Sequence, residues 1–376
     1  MRLLMLSGDR QVSIGERGPF YAMQREFSRH FERIDVLCPR PDKPVSVRTI
    51  FDSVHFHPAP CGRAGMVGYL RAKGRELIAQ HAPALMVSHD YGWFYNGRAA
   101  ASLARECGVP YLSEIHHVPG YPVAADFKER VDRVVARTYV RWARAHAKAF
   151  RVVNSVEMPE LLERWGVPRT QIVVLPSLYI DLEVFAPHAT TPEHEQDITY
   201  VGRMVNNKGL DRIVDAVAQL ASRGKPARLL MVGKGPLLEA TRARVQMRGL
   251  SATTRFVEWV ARPEDLAEIY RRSRVVVCAS TCEGGPRFTV EAMACGTPVV
   301  STPVGMMKEL VVDGRNGSQC GFDVASLAAA LERVLGDETA RRRLGANARE
   351  ATLRFEYAKV IRGYADGLKR LAGERA

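Results

Sequence analysis

Glu283-Gly284-Gly285-Pro286-Arg287-Phe288-Thr289-Val290-Glu291, continuing as AMACGTPVVSTPVG to Gly305, decides how the chain is read. Just upstream, residues 274–279 (RVVVCA) are a β-branched apolar run that predicts a buried strand. Gly-Gly-Pro predicts a loop, and a helix begins near Arg287, because a proline suits a helix entry. Strand, glycine-bearing loop and helix in that order form the unit of a parallel α/β sheet. The glycines let main chain approach a ligand, and the first-turn N–H groups favour negative charge there. As an isolated pair, Glu283 is more simply a turn residue and Glu291 a helix-capping or solvated carboxylate.

Outward from this stretch the same unit recurs. Short apolar runs at 2–6, 34–37, 54–56, 84–87, 110–113, 149–153 and 172–175 alternate with helical patterns. The alternation lapses at 176–187 (PSLYIDLEVFAP), and the polar, proline-bearing segment 188–196 reads as a linker. It restarts at 198–201, 228–232, 254–257, 274–279 and 298–301, and a helical stretch follows from about 324. This predicts an α/β protein of two doubly wound parallel-sheet domains facing a central cleft, with ligands at the carboxyl ends of the strands. A length of 376 residues suits two domains. Hydrophobic residues at 46% and charged residues at 25% exclude a disordered chain. No apolar run approaches the roughly eighteen residues of a membrane span, and MRLLML is too short for a secretory signal. Seven scattered cysteines, an odd number, point to reduced thiols and a cytoplasmic protein. The net charge of +13 suits an anionic partner.

The second half supplies cations where such a partner would sit. In VGRMVNNKGL, Gly202, Arg203 and Lys208 follow the strand at 198–201. Arg binds phosphate oxygens bidentately and Lys acts as a point charge, so the pair suits a diphosphate. Either residue alone reads equally well as a solvated surface cation. Gly233, in VGKGP, begins a third loop after a strand, where a nucleotide would lie against bare backbone. No Asp-x-Asp pair, Gly-x4-Gly-Lys-[Ser/Thr] loop or His-Glu-x2-His motif is present, and Cys278-x3-Cys282 lacks a second ligand pair. No metal or other cofactor is expected. Arg203, Lys208 and the helix start would themselves neutralise a leaving group.

Together VGRMVNNKGL, MVGKGP, EGGPRFTVEAMACGTPVV and VLPSLYIDLEVFAP closely resemble the family 4 glycosyltransferases of the GT-B fold, over about residues 174–317, with a weaker colinear likeness in the first half. The resemblance implies a retaining transferase that moves a sugar from a UDP- or GDP-sugar to a hydroxyl of a glycan or lipid-linked acceptor, in cell-envelope or exopolysaccharide synthesis. It implies that Arg203 and Lys208 hold the diphosphate, that Glu291 bonds the ribose, and that Glu283 lies by the donor sugar. Gly284, Gly285, Pro286, Arg287 and Phe288 would line the sugar and phosphate site, and Val260 would lie near the base, although Glu258 stands where the family often has glycine. His116, at a strand end, would face the donor sugar as a catalytic group, and His117 stands where aspartate or glycine is common. Gly18, in GERGP, belongs to a loop that closes toward donor and acceptor. Asp90, in HDYGW, is a candidate for the acceptor side. The chain's last helices would cross back, giving domains of 1–178 plus about 356–376, and 179–355.

Residues 127–150 read as one amphipathic helix with Arg130, Arg133, Arg137, Arg141, Arg144 and Lys148 in one stripe and Val131, Val135, Tyr139, Trp142 and Ala149 opposite. The stripe is either merely solvated or set against anionic lipid headgroups or a polyanionic glycan, at about 1 kcal/mol per cation near a charged surface. A peripheral place at the inner face of a membrane is consistent with the second reading. On the same fold, a phosphorylase or a sugar-nucleotide epimerase is the alternative enzyme. A non-catalytic basic binding protein is the alternative from another class, although nothing resembles a nucleic-acid-binding module.

Overall fold

A computed structural model describes residues 1–188 and 193–373. Residues 189–192 of the expected linker and the last three residues of the expected return lie outside the described residues. The first sheet contains β1 (Arg2–Leu6), β2 (Arg33–Cys38), β3 (Thr49–Ile50), β4 (Val54–Pro58), β5 (Leu85–His89), β6 (Tyr111–Glu114), β7 (Ala149–Val152) and β8 (Ile172–Val174). The second contains β9 (Gln196–Val201), β10 (Leu229–Val232), β11 (Thr254–Val257), β12 (Ser273–Cys278), β13 (Val299–Ser301) and β14 (Gly317–Gln319). All pairings are parallel except β3 with β4. Runs such as Leu3–Leu6 in β1 and Val275–Cys278 in β12 are buried throughout, as strands covered by helices on both faces must be.

The strand orders locate the functional ends. The first sheet runs β3-β4-β2-β1-β5-β6-β7-β8 and the second β11-β10-β9-β12-β13-β14. In each, the order reverses between two central neighbours, β1 with β5 and β9 with β12. The loops leaving those neighbours diverge and open a crevice at the carboxyl ends. The two domains meet there. Asn154 Nδ2 donates to the Gly284 carbonyl at 3.4 Å, the Gly305 N–H donates to Glu157 Oε1 at 3.0 Å, and Lys308 pairs with Glu160 at 3.1 Å.

The final helix, Tyr357–Ala372, packs on the first sheet's domain. Ile361, Tyr364, Ala365 and Leu368 share a core with Leu3, Met5, Phe27 and Leu175. Ahead of it, Ile180 and Tyr357 exchange main-chain bonds, with Ile180 N donating to Phe355 O at 2.7 Å and Tyr357 N to Ile180 O at 3.0 Å.

Two expectations need correction. The helix read over 127–150 is Phe127–Ala143, and the chain turns through 144–148 into β7. Basic spacing continues through that turn without glycine or proline, which hid the boundary. Val131 and Trp142, read as packing inward, are 44% and 42% exposed. No described helix is long and apolar enough to cross a membrane.

Candidate active site in the interdomain cleft

Three loops of the second domain converge at the ends of β9, β10 and β12. Gly202 N donates to Val232 O at 2.9 Å and Met204 N to Lys234 O at 2.8 Å, so the loops after β9 and β10 lie main chain on main chain. Gly233 permits this approach, because its φ is +140° and a Cβ there would overlap the Gly202 carbonyl oxygen. Tyr200 OH donates to the Arg203 carbonyl at 2.8 Å and fixes that turn. The Arg203 side chain itself is exposed and forms no ion pair among the described residues.

The loop after β9 is tied across to the loop after β12. Thr281 N donates to Asn207 O at 2.8 Å, and Asn207 Nδ2 donates to Cys282 O at 3.1 Å. This lashing brings Lys208 Nζ onto Glu283 Oε1 in an ion pair of two largely buried side chains, 11% and 13% exposed. Ser280 Oγ donates to the same carboxylate oxygen at 2.8 Å. Gly284 then runs so close to the first domain that a Cβ would sit 2.5 Å from the His116 carbonyl oxygen.

Pro286 leads into the helix Arg287–Ala294, on which Phe288 is buried beneath Tyr200. One turn in, Glu291 accepts from Arg287 Nε at 2.8 Å and from Tyr270 OH at 3.1 Å. Burial raises the Glu291 pKa, and Arg287 opposes that shift. Glu291, Arg287 and Val260 line one cleft of about 820 Å³, together with Trp259, Tyr179 and Arg17. Gly18 stands between the lining residues Arg17 and Pro19, at the N-terminal end of the helix Pro19–Phe27.

The two histidines diverge. The His116 ring lies 3.3 Å from Arg151 Nη1 and 3.5 Å from Glu114 Oε2, on the wall of a separate cavity of about 260 Å³. Glu114 and Arg151 are an almost fully buried pair at 2.9 Å, and Tyr364 OH from the final helix donates to Glu114. Burial alone would raise the Glu114 pKa, but Arg151 and the flanking histidines hold it well below the usual carboxylate range. Burial drives the pKa of the neighbouring His89 down to about 4, with Glu114 opposing. His117 instead has Glu283, Lys208 and Arg203 as neighbouring charges. It is open to water yet walled by protein in the cleft, which lowers its pKa, and Glu283 opposes.

The sequence reading grouped Asp90 with the acceptor side, and the structure corrects this. Asp90 is 3% exposed and points into the first domain, where Ser88, Ser113 and Tyr139 donate to it at 2.6, 2.5 and 2.6 Å. Three hydroxyls and the Gly97 N–H surround the buried carboxylate. Burial lifts its pKa to about 7, those hydroxyls opposing. Among the described residues no cluster of three His, Cys, Asp or Glu side chains could hold a metal, and all seven cysteines are unpaired.

Sequence reasoning missed Trp259, Tyr179 and the Glu114–Arg151 pair. It also missed a cavity of about 410 Å³ lined by Arg10, Arg40 and Arg63, with Asp42 at 3.5 Å from Arg10. A signal for that cavity existed, because each arginine lies on the loop that follows a parallel strand, β1, β2 or β4.

Comparison with known proteins agrees with this fold. The family described as "Glycosyl transferases group 1" matches residues 183–351, and "Glycosyl transferase 4-like domain" matches residues 20–177. The D-inositol 3-phosphate glycosyltransferase of Stackebrandtia nassauensis is 29% identical over 331 residues, 81% of this chain and 72% of that protein. The Frankia alni protein of the same name is 29% identical over 350 residues, 85% of this chain and 83% of its own. Sucrose-phosphate synthase from Thermosynechococcus elongatus superimposes with a TM-score of 0.79 at 23% identity, covering 98% of both chains. Anabaena Alr3699/HepE, solved in complex with UDP and glucose, superimposes at 0.75 with 18% identity, over 98% of this chain and 100% of its own. With both domains matched and the strand order in place, the chain belongs to the group 1, or family 4, retaining nucleotide-sugar glycosyltransferases of the GT-B fold.

Proposed function

We propose that the enzyme binds a UDP- or GDP-sugar with its diphosphate on Arg203 and Lys208 and its ribose on Glu291, and transfers the sugar to a hydroxyl of a phosphate-bearing glycan or lipid-linked acceptor. The observation that carries this reading is the Lys208–Glu283 pair, formed where the loop that bears Arg203 is tied to the loop after β12 and faces the first domain at His116. As the glycosidic bond of the donor breaks, negative charge grows on the diphosphate. Arg203, Lys208 and the N–H groups at the start of the helix Arg287–Ala294 are fixed there to meet it. Positive charge develops on the sugar beside Glu283 and the His116 carbonyl, and the acceptor hydroxyl attacks on the face the diphosphate leaves. The Arg10, Arg40 and Arg63 cavity supports an acceptor that carries a phosphate, the group named in the inositol phosphate transferases similar to this chain.

A membrane-surface location has its own support. Phe127, Val131, Val134 and Trp142 are 77%, 44%, 63% and 42% exposed and follow one line along their helix. Arg130, Arg137 and Arg141 flank that line, and their side chains form no hydrogen bond among the described residues. Arg133 and Arg144 donate to the Gly120 and Gly166 carbonyls at 3.1 and 2.7 Å and are committed to the fold. Apolar groups beside free cations suit the boundary of an anionic lipid leaflet, a setting for assembly of envelope polysaccharide.

Two measurements test these readings. A nucleoside diphosphate at a hundred times its dissociation constant stabilises the protein by about 2.7 kcal/mol, and Arg203→Ala removes the thermal shift given by UDP or GDP. A shift that persists in Arg203→Ala contradicts the phosphate assignment. Replacing Arg130, Arg137 and Arg141 by glutamate abolishes co-sedimentation with phosphatidylglycerol vesicles, and unchanged sedimentation removes the membrane reading.

A further inference from the structure

The end of the second domain remote from the donor cleft carries a cavity that the transfer reaction does not use. It has a volume of about 450 Å³ and lies at the amino ends of β12 and β13, beside Cys295 and Gly296 at the close of the helix Arg287–Ala294. Arg271, Arg274, Arg341, Arg342 and Arg349 line it with two histidines; among the described residues no carboxylate lines it, and Glu268 behind the wall pairs with Arg271 at 3.3 Å and with His188 at 2.8 Å.

Part of this cluster is explained by the fold. Arg271 donates to the Ala186 and Val184 carbonyls, both at 2.7 Å, and Arg349 donates to Phe185 and Ala294 at 2.8 and 3.0 Å. These two pin the crossing segment to the helix end. Arg274 is anchored too, donating to the Leu335 carbonyl at 2.9 Å, so Arg341 and Arg342 are the two that main-chain contacts do not explain. Arg274 reaches Asp197 at 3.3 Å, while Arg341 and Arg342 share the single carboxylate Glu338. Asp197 is shared in turn with Arg228, and Arg349 has no carboxylate partner among the described residues. The Arg341 side chain is 3% exposed, and its Nη1 has no partner among the described residues. A buried guanidinium donor left unsatisfied costs the desolvation of a charged group, and the excess of cations adds mutual repulsion. An anion in the cavity relieves both.

We propose that this cavity is a second anion site that takes a small phosphorylated molecule. The guanidinium fork matches paired phosphate oxygens, and the volume lies in the range of small-ligand sites. The three anchored arginines make the wall rigid. Arg342, with its side chain 66% exposed, stands at the rim where such a ligand would enter.

Inorganic pyrophosphate is the probe, titrated calorimetrically into the full chain. An Arg203→Ala/Lys208→Ala variant removes the proposed donor contacts, so heat that persists there comes from outside the donor site, and the next two variants assign it to this cavity or to the Arg10, Arg40 and Arg63 cavity. Adding Arg342→Glu to that variant should weaken the remaining binding by at least about tenfold, the scale of one charge-assisted bond. Arg341→Gln in the same background should weaken it likewise, and Arg223→Glu, outside the cavity, should leave it unchanged. Loss of all pyrophosphate binding in the double variant, or binding insensitive to Arg342→Glu and Arg341→Gln, overturns the proposal. Failure of the donor assignment is distinguishable, because the double variant would then bind pyrophosphate as the wild type does.

Discussion

Gly284→Ala tests whether the contact between the domains sets the geometry of transfer. A Cβ at this position would lie 2.5 Å from the His116 carbonyl oxygen and 3.1 Å from its carbon. Real Cβ atoms essentially never come nearer than 3.0 Å, and ordinary contact begins near 3.4 Å. The gap must therefore widen by about 0.5 to 0.9 Å. The carbonyl is main chain and an alanine Cβ has no rotamer, so no side-chain rotation relieves the overlap and the two loops must part. Glu283 is the adjacent residue and carries the Lys208 pair with it. A misplacement of about 1 Å between reacting groups costs on the order of a hundredfold in rate. The residue sits at an interdomain contact and not inside either core, so thermal stability should change little. The assay is the slow hydrolysis of a sugar nucleotide, which needs no acceptor, run beside a thermal melt. A variant that hydrolyses the donor within about twofold of wild type would refute the argument that this approach sets the site.

Other expectations follow from single positions. Arg151→Met strips the buried Glu114 carboxylate of its guanidinium partner at 2.9 Å and should destabilise by about 3–5 kcal/mol in urea unfolding; coincident midpoints would count against a buried pair. In the final helix, Gly363 is exposed with open space at its Cβ position, so Gly363→Ala should stabilise by roughly 0.5–1 kcal/mol. Gly367→Ala in the same helix would place a Cβ 2.7 Å from Leu175 and should destabilise by about 1–3 kcal/mol; equal melting temperatures for the two would contradict the docking of that helix. Asp90 keeps its proton in the folded chain up to a pH of about 7, while its ordinary value is 3.8. Between those values the folded state binds the extra proton, so this group's contribution to stability falls as pH rises. Asp90→Asn should lack that slope, and parallel stability-against-pH curves for the two proteins would reject the assignment.

What was legible in the sequence was whatever short-range pattern controls. The apolar runs at 2–6, 198–201 and 274–279 found β1, β9 and β12, because strands covered on both faces must be apolar throughout. β3 and β14 were missed, since Thr49–Ile50 is two residues and Gly317–Gln319 carries no apolar run, whereas the equally short β8 and β13 are apolar. At the site, Arg203, Lys208 and Glu283 could be named as candidates from their loops, but the Lys208–Glu283 pair could not. Those residues are 75 apart, and only the adjacency of β9 and β12 brings them together. Asp90 misled for the same reason. A polar loop residue reads as exposed until Ser113 and Tyr139, 23 and 49 residues away, close over it.

The Lys208–Glu283 pair also bears on how donor binding begins. An ammonium held by a carboxylate in a partly closed cleft is already neutralised, so a diphosphate that takes Lys208 must displace Glu283 from it. Arg203 has no such partner to give up and is the group able to make the first contact. Were Lys208 to turn to phosphate as proposed, Glu283 would keep its bond from Ser280 at 2.8 Å, and its charge would be released beside the proposed position of the sugar. One exchange of partners would then both grip the leaving group and free the carboxylate beside the reacting carbon. Substrate and transition state would thereby be treated differently, and only such a difference speeds the chemical step. The lashing of Asn207 to Thr281 and Cys282 holds the two loops in register, so the proposed exchange would depend on the adjacency of β9 and β12 as much as on any one residue.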